Sequence, residues 1–165
     1  MNLIKKFSII IFPIIVMTLF SACSSNELQQ DIYNAIYYNW EEINTFDEYS
    51  YINTLKEKSS FEINNIEEQD NVYTVTLSVT APDIKSGVEE YQNSITSVPT
   101  DGEMNETMKS IIENADLKTT EQTVTVFVTD DGTYDVEFSS GFVDAMCGYS
   151  YQYYVNQMQK LYEGE

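Results

Sequence analysis

Histidine and arginine are both missing from this 165-residue chain, and each of its eight basic residues is a lysine. Without imidazole there is no Ser-His or Cys-His nucleophile pair, no histidine-held metal and no proton shuttle near neutral pH. Without guanidinium there is no bidentate clamp for a phosphate or carboxylate. Basic residues are also scarce against 27 acidic ones, leaving a formal charge of −19. That charge repels phosphate backbones, so nucleic acid is not an expected partner. Cysteine is limited to Cys23 and Cys147, and the chain has one tryptophan, Trp40. Two cysteines without histidine make no zinc site, and no cofactor is expected.

What is present begins with the leader. Lys5 and Lys6 precede an apolar stretch, Phe7 to Phe20, broken only by Ser8, Pro13 and Thr18. A bilayer-spanning helix needs ~20 apolar residues, so this stretch has the length of a secretory signal core instead. Ser21, Ala22 and Cys23 follow, then polar Ser24, Ser25 and Asn26. Small residues before an accessible thiol resemble the lipobox of bacterial lipoproteins, with Phe20 standing where that pattern has leucine. The resemblance implies cleavage after residue 22 and a diacylglyceryl group on Cys23. Two acyl chains give a stable anchor where one would be marginal. Residues 1–22 are then a signal peptide and 23–26 a lipidated tether, with one domain over 27–165. The expected location is the extracytoplasmic face of the cell membrane. Cys147, left without a partner among apolar neighbours, reads as a buried inert thiol.

Within the domain, Leu28, Ile32, Ile36, Trp40 and Ile43 have helical spacing over Glu27–Ile43, widened by Tyr33 and Tyr37. Thr45 and Glu48 read as a capping box opening a second helix to about Lys58, with Tyr49, Ile52 and Leu55 inward. The period then becomes two. Phe61 and Ile63 start a short strand, Gln69, Asp70 and Asn71 turn the chain, and Tyr73, Val75, Leu77 and Val79 alternate with polar residues. Asp83 is placed as the cap of a helix to about Ile95, and Val98 to Gly102 as a loop before a helix over Glu103–Ala115. Val124, Val126 and Val128 alternate with threonines, Asp131-Gly132 marks a hairpin, and Tyr134, Val136 and Phe138 return. Ser139 and Ser140 offer caps for one final helix with the stripe Val143, Cys147, Tyr151, Tyr154, Met158 and Leu161, weakened at Gly148.

Two hairpins among helices predict an α+β fold, with an antiparallel sheet of about four strands and helices on one face. This order, and the strand Val72–Ala81 ending in Ala-Pro-Asp, resemble small bacterial lipoproteins whose domain is similar to the nuclear-transport-factor-two-like, or cystatin-like, group. The resemblance implies a curved sheet around a helix-lined concavity that holds a ligand, forms a dimer or has no catalytic role.

Candidate sites are few. The acidic pairs Glu41-Glu42, Glu67-Glu68, Glu89-Glu90 and Asp130-Asp131 suit solvated faces; glycosidic hydrolysis would need two carboxyls converging in a pocket. Asp101, Glu103 and Asn105 have the opening spacing of a calcium loop, but Glu106 and Ile112 stand where it needs glycine and glutamate. Tyrosine is the outstanding count, at 13. Tyr149, Tyr151, Tyr153, Tyr154 and Tyr162 crowd the last helix, more than one sheet can cover. Tyrosine joins apolar area to a polar tip, so Tyr149, Tyr151, Tyr153 and Tyr154 are the expected ligand- or partner-binding residues. The expected function is a lipid-anchored, non-catalytic module binding a small ligand or envelope protein. A carboxylate hydrolase in the concavity is the alternative.

Overall fold

The computed structural model describes residues 26–42 and 50–163. Cys23, the leader, and the box at Thr45 and Glu48 lie outside those residues. The described elements run α1 (26–42), α2 (Ser50–Lys58), β1 (Ser60–Gln69), β2 (Val72–Pro82), α3 (Lys85–Ser94), α4 (Asp101–Asn114), β3 (Leu117–Val128), β4 (Tyr134–Phe138), α5 (Ser140–Met146) and α6 (Tyr151–Glu163). The strands form one four-stranded sheet in the order β1-β2-β3-β4, with every neighbouring pair antiparallel. The architecture is α+β, as expected, and compatible with a cystatin-like arrangement.

Alternation places the apolar rows on one face. Val75 pairs with Val124, which pairs with Phe138, and Tyr73 pairs with Val126, which pairs with Val136. Against this face lie Ile32, Ile36 and Trp40 of α1 and Phe142, Ala145 and Met146 of α5. Trp40 meets Phe138 and Phe142 edge-on at 5.7 and 5.5 Å, and those two rings stack at 4.9 Å. The opposite face carries Thr74, Thr76, Thr123 and Thr125 and is largely polar, with Leu117 and Phe127 exposed toward its two ends.

A bulge between Ile63 and Asn65 keeps β1 in phase with the core. Phe61 and Ile63 are two apart, whereas Ile66 follows after three. An extra residue lets Ile66 oppose Val75 on the same face as the others. Asp70 and Asn71 both have positive φ, 53° and 63°, which is the geometry of a two-residue hairpin turn whose twist matches the strands.

A second cluster, Ile84, Val88, Met108 and Ile112, sits where α3 and α4 pack, with Tyr51 and Leu55 of α2 and Tyr153 of α6 against it. The long β2-to-β3 connection therefore builds its own small core.

Several expectations are corrected. The final helix is two helices: Gly148 and Tyr149 take φ of 66° and 60°, which no α-helix accommodates, so the proposed continuous stripe is broken. Asp83 does not cap α3. Ile84 holds that position without a side-chain bond, and the Asp83 carboxylate instead accepts from Lys118 Nζ at 3.2 Å. Helix α4 starts at Asp101, because Thr100 and Glu103 form a reciprocal capping box that takes Asp101 and Gly102 into the first turn. Strand β1 is ten residues long and β3 twelve, beginning at Leu117 instead of about Thr123. The early half of β3 turns Lys118, Thr120 and Gln122 to the inner face, so it shows no apolar alternation and is held by pairing with Thr76–Pro82 of β2.

Candidate functional site

Helix α2 separates two clefts that share Lys56 and Met146. Its own sequence sets this position. Tyr51 and Leu55, one turn apart, enter the second core cluster, while Lys56 leans toward α1 and donates to Glu41 Oε2 at 3.2 Å. At its end, Lys58 Nζ donates to the Glu113 carbonyl near the C-terminus of α4, where a cation is favoured.

The cleft between α2 and α6 has a volume of about 320 Å³. Tyr51, Ile52 and Leu55 come from α2, Met108 from α4, Met146, Cys147 and Ser150 from the α5–α6 corner, and Tyr151 and Tyr154 from α6. Tyr151 and Tyr154 are 41% and 40% exposed, lying three residues apart on one helical face. Burial raises the Tyr154 hydroxyl above the usual tyrosine value, and neighbouring Tyr51 and Tyr153 raise it further. Burial, with a smaller push from Asp144, also raises the Cys147 thiol to about 11, so it is a neutral lining group and not a nucleophile. Ser150 donates from Oγ to the Cys147 carbonyl at 2.8 Å, spending its hydroxyl on the corner. Among the described residues, Lys56 is the one charged side chain lining this cleft, and no Asp or Glu lines it.

Of the four tyrosines singled out by composition, Tyr151 and Tyr154 meet at this cleft. Tyr153 points elsewhere, donating to Gln92 Oε1 at 2.9 Å and tying α6 to α3. Tyr149 is not on a helix. Its side chain is taken into the sheet core at 8% exposure, with its hydroxyl on the Lys118 carbonyl. Nothing in the sequence pattern marks the lining residues Tyr51 and Met108, because their convergence with α6 is set by tertiary packing.

The second cleft, between α1, α2 and the start of β1, has a volume of about 460 Å³. Tyr33, Tyr37, Trp40 and Phe61 line one side and Asn53, Lys56, Glu57 and Ser60 the other. Sequence spacing marks Tyr33 and Tyr37 only as a widened core stripe. Their 36% and 44% exposure shows that the sheet does not cover them.

None of the paired acidic candidates is buried, but Glu41 lines the α1–α2 cleft beside Tyr33, Tyr37 and Trp40, where its carboxylate accepts from Lys56. Among the described residues, Ser150 is the sole buried polar or charged side chain. Glu103 accepts from the Thr100 backbone and hydroxyl, which lowers its carboxyl and leaves no calcium loop in this helical turn. Asp131 is spent within its own hairpin, accepting from Thr129 and Thr133. No group of three or more acidic or cysteine side chains is placed to hold a metal ion among the described residues, and none of the described helices is long and apolar enough to cross a membrane. The α2–α6 cleft offers aromatic and thioether contact surface with few polar groups, which suits binding, whereas the α1–α2 cleft sets aromatic rings against a polar wall. Comparison with protein-family models, curated proteins and solved structures finds no match to this chain.

Proposed function

We propose that this chain is a bacterial lipoprotein, held through acylated Cys23 at the extracytoplasmic face of the cell membrane. Its nuclear-transport-factor-two-like domain binds a small ligand or an envelope partner without catalysis. The observation that carries the binding reading is the α2–α6 cleft, where Tyr51, Tyr151 and Tyr154 surround an apolar bed with no Asp or Glu among its described lining. A general acid or base would need a carboxyl desolvated in such a place. Lys56 also lines this cleft, with its ammonium bonded to Glu41 on the α1 side. The leader supports the anchor, since Ser21-Ala22-Cys23 directly follows its apolar core.

Two measurements test the two halves. Mass spectrometry of the exported protein should find the leader removed and a diacylglyceryl thioether on Cys23, both lost in Cys23→Ala. A bare thiol would refute the anchor. Anilinonaphthalene sulfonate, an aromatic anion, should brighten on binding the cleft, and Tyr154→Ala should weaken that binding about tenfold, a loss of ~1.4 kcal/mol. Equal binding by both proteins would remove the cleft from the argument.

A further inference from the structure

The cleft on the other side of α2 has a different chemistry. Tyr33 and Tyr37 lie one turn apart on α1, with rings 9° from parallel and centroids 6.4 Å apart. They stay more than a third exposed although Ile32 and Ile36 beside them are fully buried. Their position is fixed from below: Phe61, itself buried, holds Tyr33 at 4.9 Å. The facing wall is polar. Asn53 and Glu57 are one turn apart on the exposed side of α2, and neither makes a side-chain hydrogen bond to another described residue. Lys56 is oriented by Glu41 and keeps ammonium protons for a further acceptor.

Each ligand class meets this wall differently. A purely apolar molecule would desolvate the amide, carboxylate and ammonium without pairing them. An anion would face Glu41 and Glu57 against Lys56 as the one cation among the described lining residues. A cation would compete with the ammonium already seated on Glu41. A neutral sugar ring leaves none of these conflicts, since one face is apolar and its edge carries hydroxyls that both donate and accept. We propose that this cleft is a carbohydrate site, in which a neutral pyranose stacks on Tyr33 and Tyr37 and its hydroxyls bond Asn53, Lys56 and Glu57. The site lies across α2 from the α2–α6 cleft, shares Lys56 and Met146 with it, and does not depend on the anchor.

Trp40, the single tryptophan of the chain, lines the cleft and reports on its occupancy. The full chain, kept in a detergent without a sugar headgroup, is titrated with glucose, N-acetylglucosamine and the β-1,4-linked disaccharide of each. Trp40 emission and saturation-transfer NMR are followed, with choline as the cationic control. The expected result is saturable binding of at least one sugar with a dissociation constant of ~1–10 mM, weakened about tenfold or more in Tyr37→Ala. Asn53→Ala, on the exposed face of α2, should weaken it several-fold and serves where Tyr37→Ala does not fold. No saturable response to any of the four sugars, an affinity unchanged in the folded variants, or a response to choline alone would each overturn the proposal.

Discussion

Tyr149 and Lys118 hold each other twice: the tyrosine hydroxyl donates to the Lys118 carbonyl at 3.0 Å, and the Lys118 ammonium lies 4.1 Å from the centre of the Tyr149 ring. The tyrosine proton is committed to that carbonyl, so the Thr120 hydroxyl, 3.2 Å away, donates to the tyrosine oxygen. Gln122 Nε2 donates in turn to Thr120 Oγ1 at 3.0 Å. A chain of three bonds thus joins the polar half of β3 to the corner between α5 and α6. Tyr149→Phe breaks this chain and keeps the ring under the ammonium, and is expected to cost about 1 kcal/mol. Tyr149→Ala also removes the buried ring and should cost about 3 kcal/mol or more. Urea unfolding of the three proteins measures both losses.

Gly148 makes the same corner possible. Its φ is +66°, and a Cβ there would come within 2.8 Å of Ile84 Cγ1 and 3.0 Å of the Pro82 carbonyl oxygen. The backbone conformation and the close approach both oppose a side chain. Gly148→Ala should therefore destabilise by about 2 kcal/mol or more. Gly102, in the first turn of α4, has open space on the side where a Cβ would stand, with nothing within 4 Å. There Gly102→Ala should stabilise by up to ~0.5 kcal/mol, since helical backbone favours alanine. Urea midpoints of the two variants moving in opposite directions from the wild-type value is the expected result.

Acid sensitivity follows from the β3–β4 turn. Hydrogen bonds from the Thr129 and Thr133 side chains, with the Thr133 backbone N–H, lower the Asp131 carboxyl from 3.8 to about 2. A carboxyl lowered in the folded state stabilises above its unfolded value, and that contribution fades as pH falls toward the folded one. The urea midpoint of the wild-type protein should thus exceed that of Asp131→Asn at pH 5, with the gap closing between pH 4 and pH 2. A gap independent of pH would mean that the ionised carboxylate is not what orders the turn.

The elements that alternation or helical spacing describes were legible from residues alone. Tyr73, Val75, Leu77 and Val79 announce β2, and Ile32, Ile36 and Trp40 announce α1, because each buries a single apolar face. The first half of β3 was not legible, since Lys118, Thr120 and Gln122 face inward as polar residues whose partner, Tyr149, is distant in sequence. The break at Gly148 was visible as a weakness, but the positive φ of Tyr149 depends on the contacts that its side chain finds. The same division holds for the α2–α6 cleft. An excess of tyrosine near the C-terminus pointed to Tyr151 and Tyr154, while Tyr51 and Met108 join them only through the packing of α2, α4 and α6.

Cys147 provides a probe of that cleft. Its thiol is raised to about 11, chiefly by burial, so at pH 8 only ~10⁻³ of it is thiolate. In a Cys23→Ser protein it is the sole remaining cysteine, and a disulfide reagent such as dithionitrobenzoate then reports on it alone. Labelling of the native protein at pH 8 should be slow and become fast in urea, where the thiol regains an ordinary value. Native labelling should also keep rising about tenfold per pH unit beyond pH 9, because the thiolate fraction is still growing there. A plateau near pH 9 would show a solvated thiol, and with it a corner between α5 and α6 more open than Met146, Cys147 and Ser150 make it. A ligand seated between α2 and α6 covers the same sulfur, so anilinonaphthalene sulfonate should slow the labelling in proportion to its occupancy of the cleft.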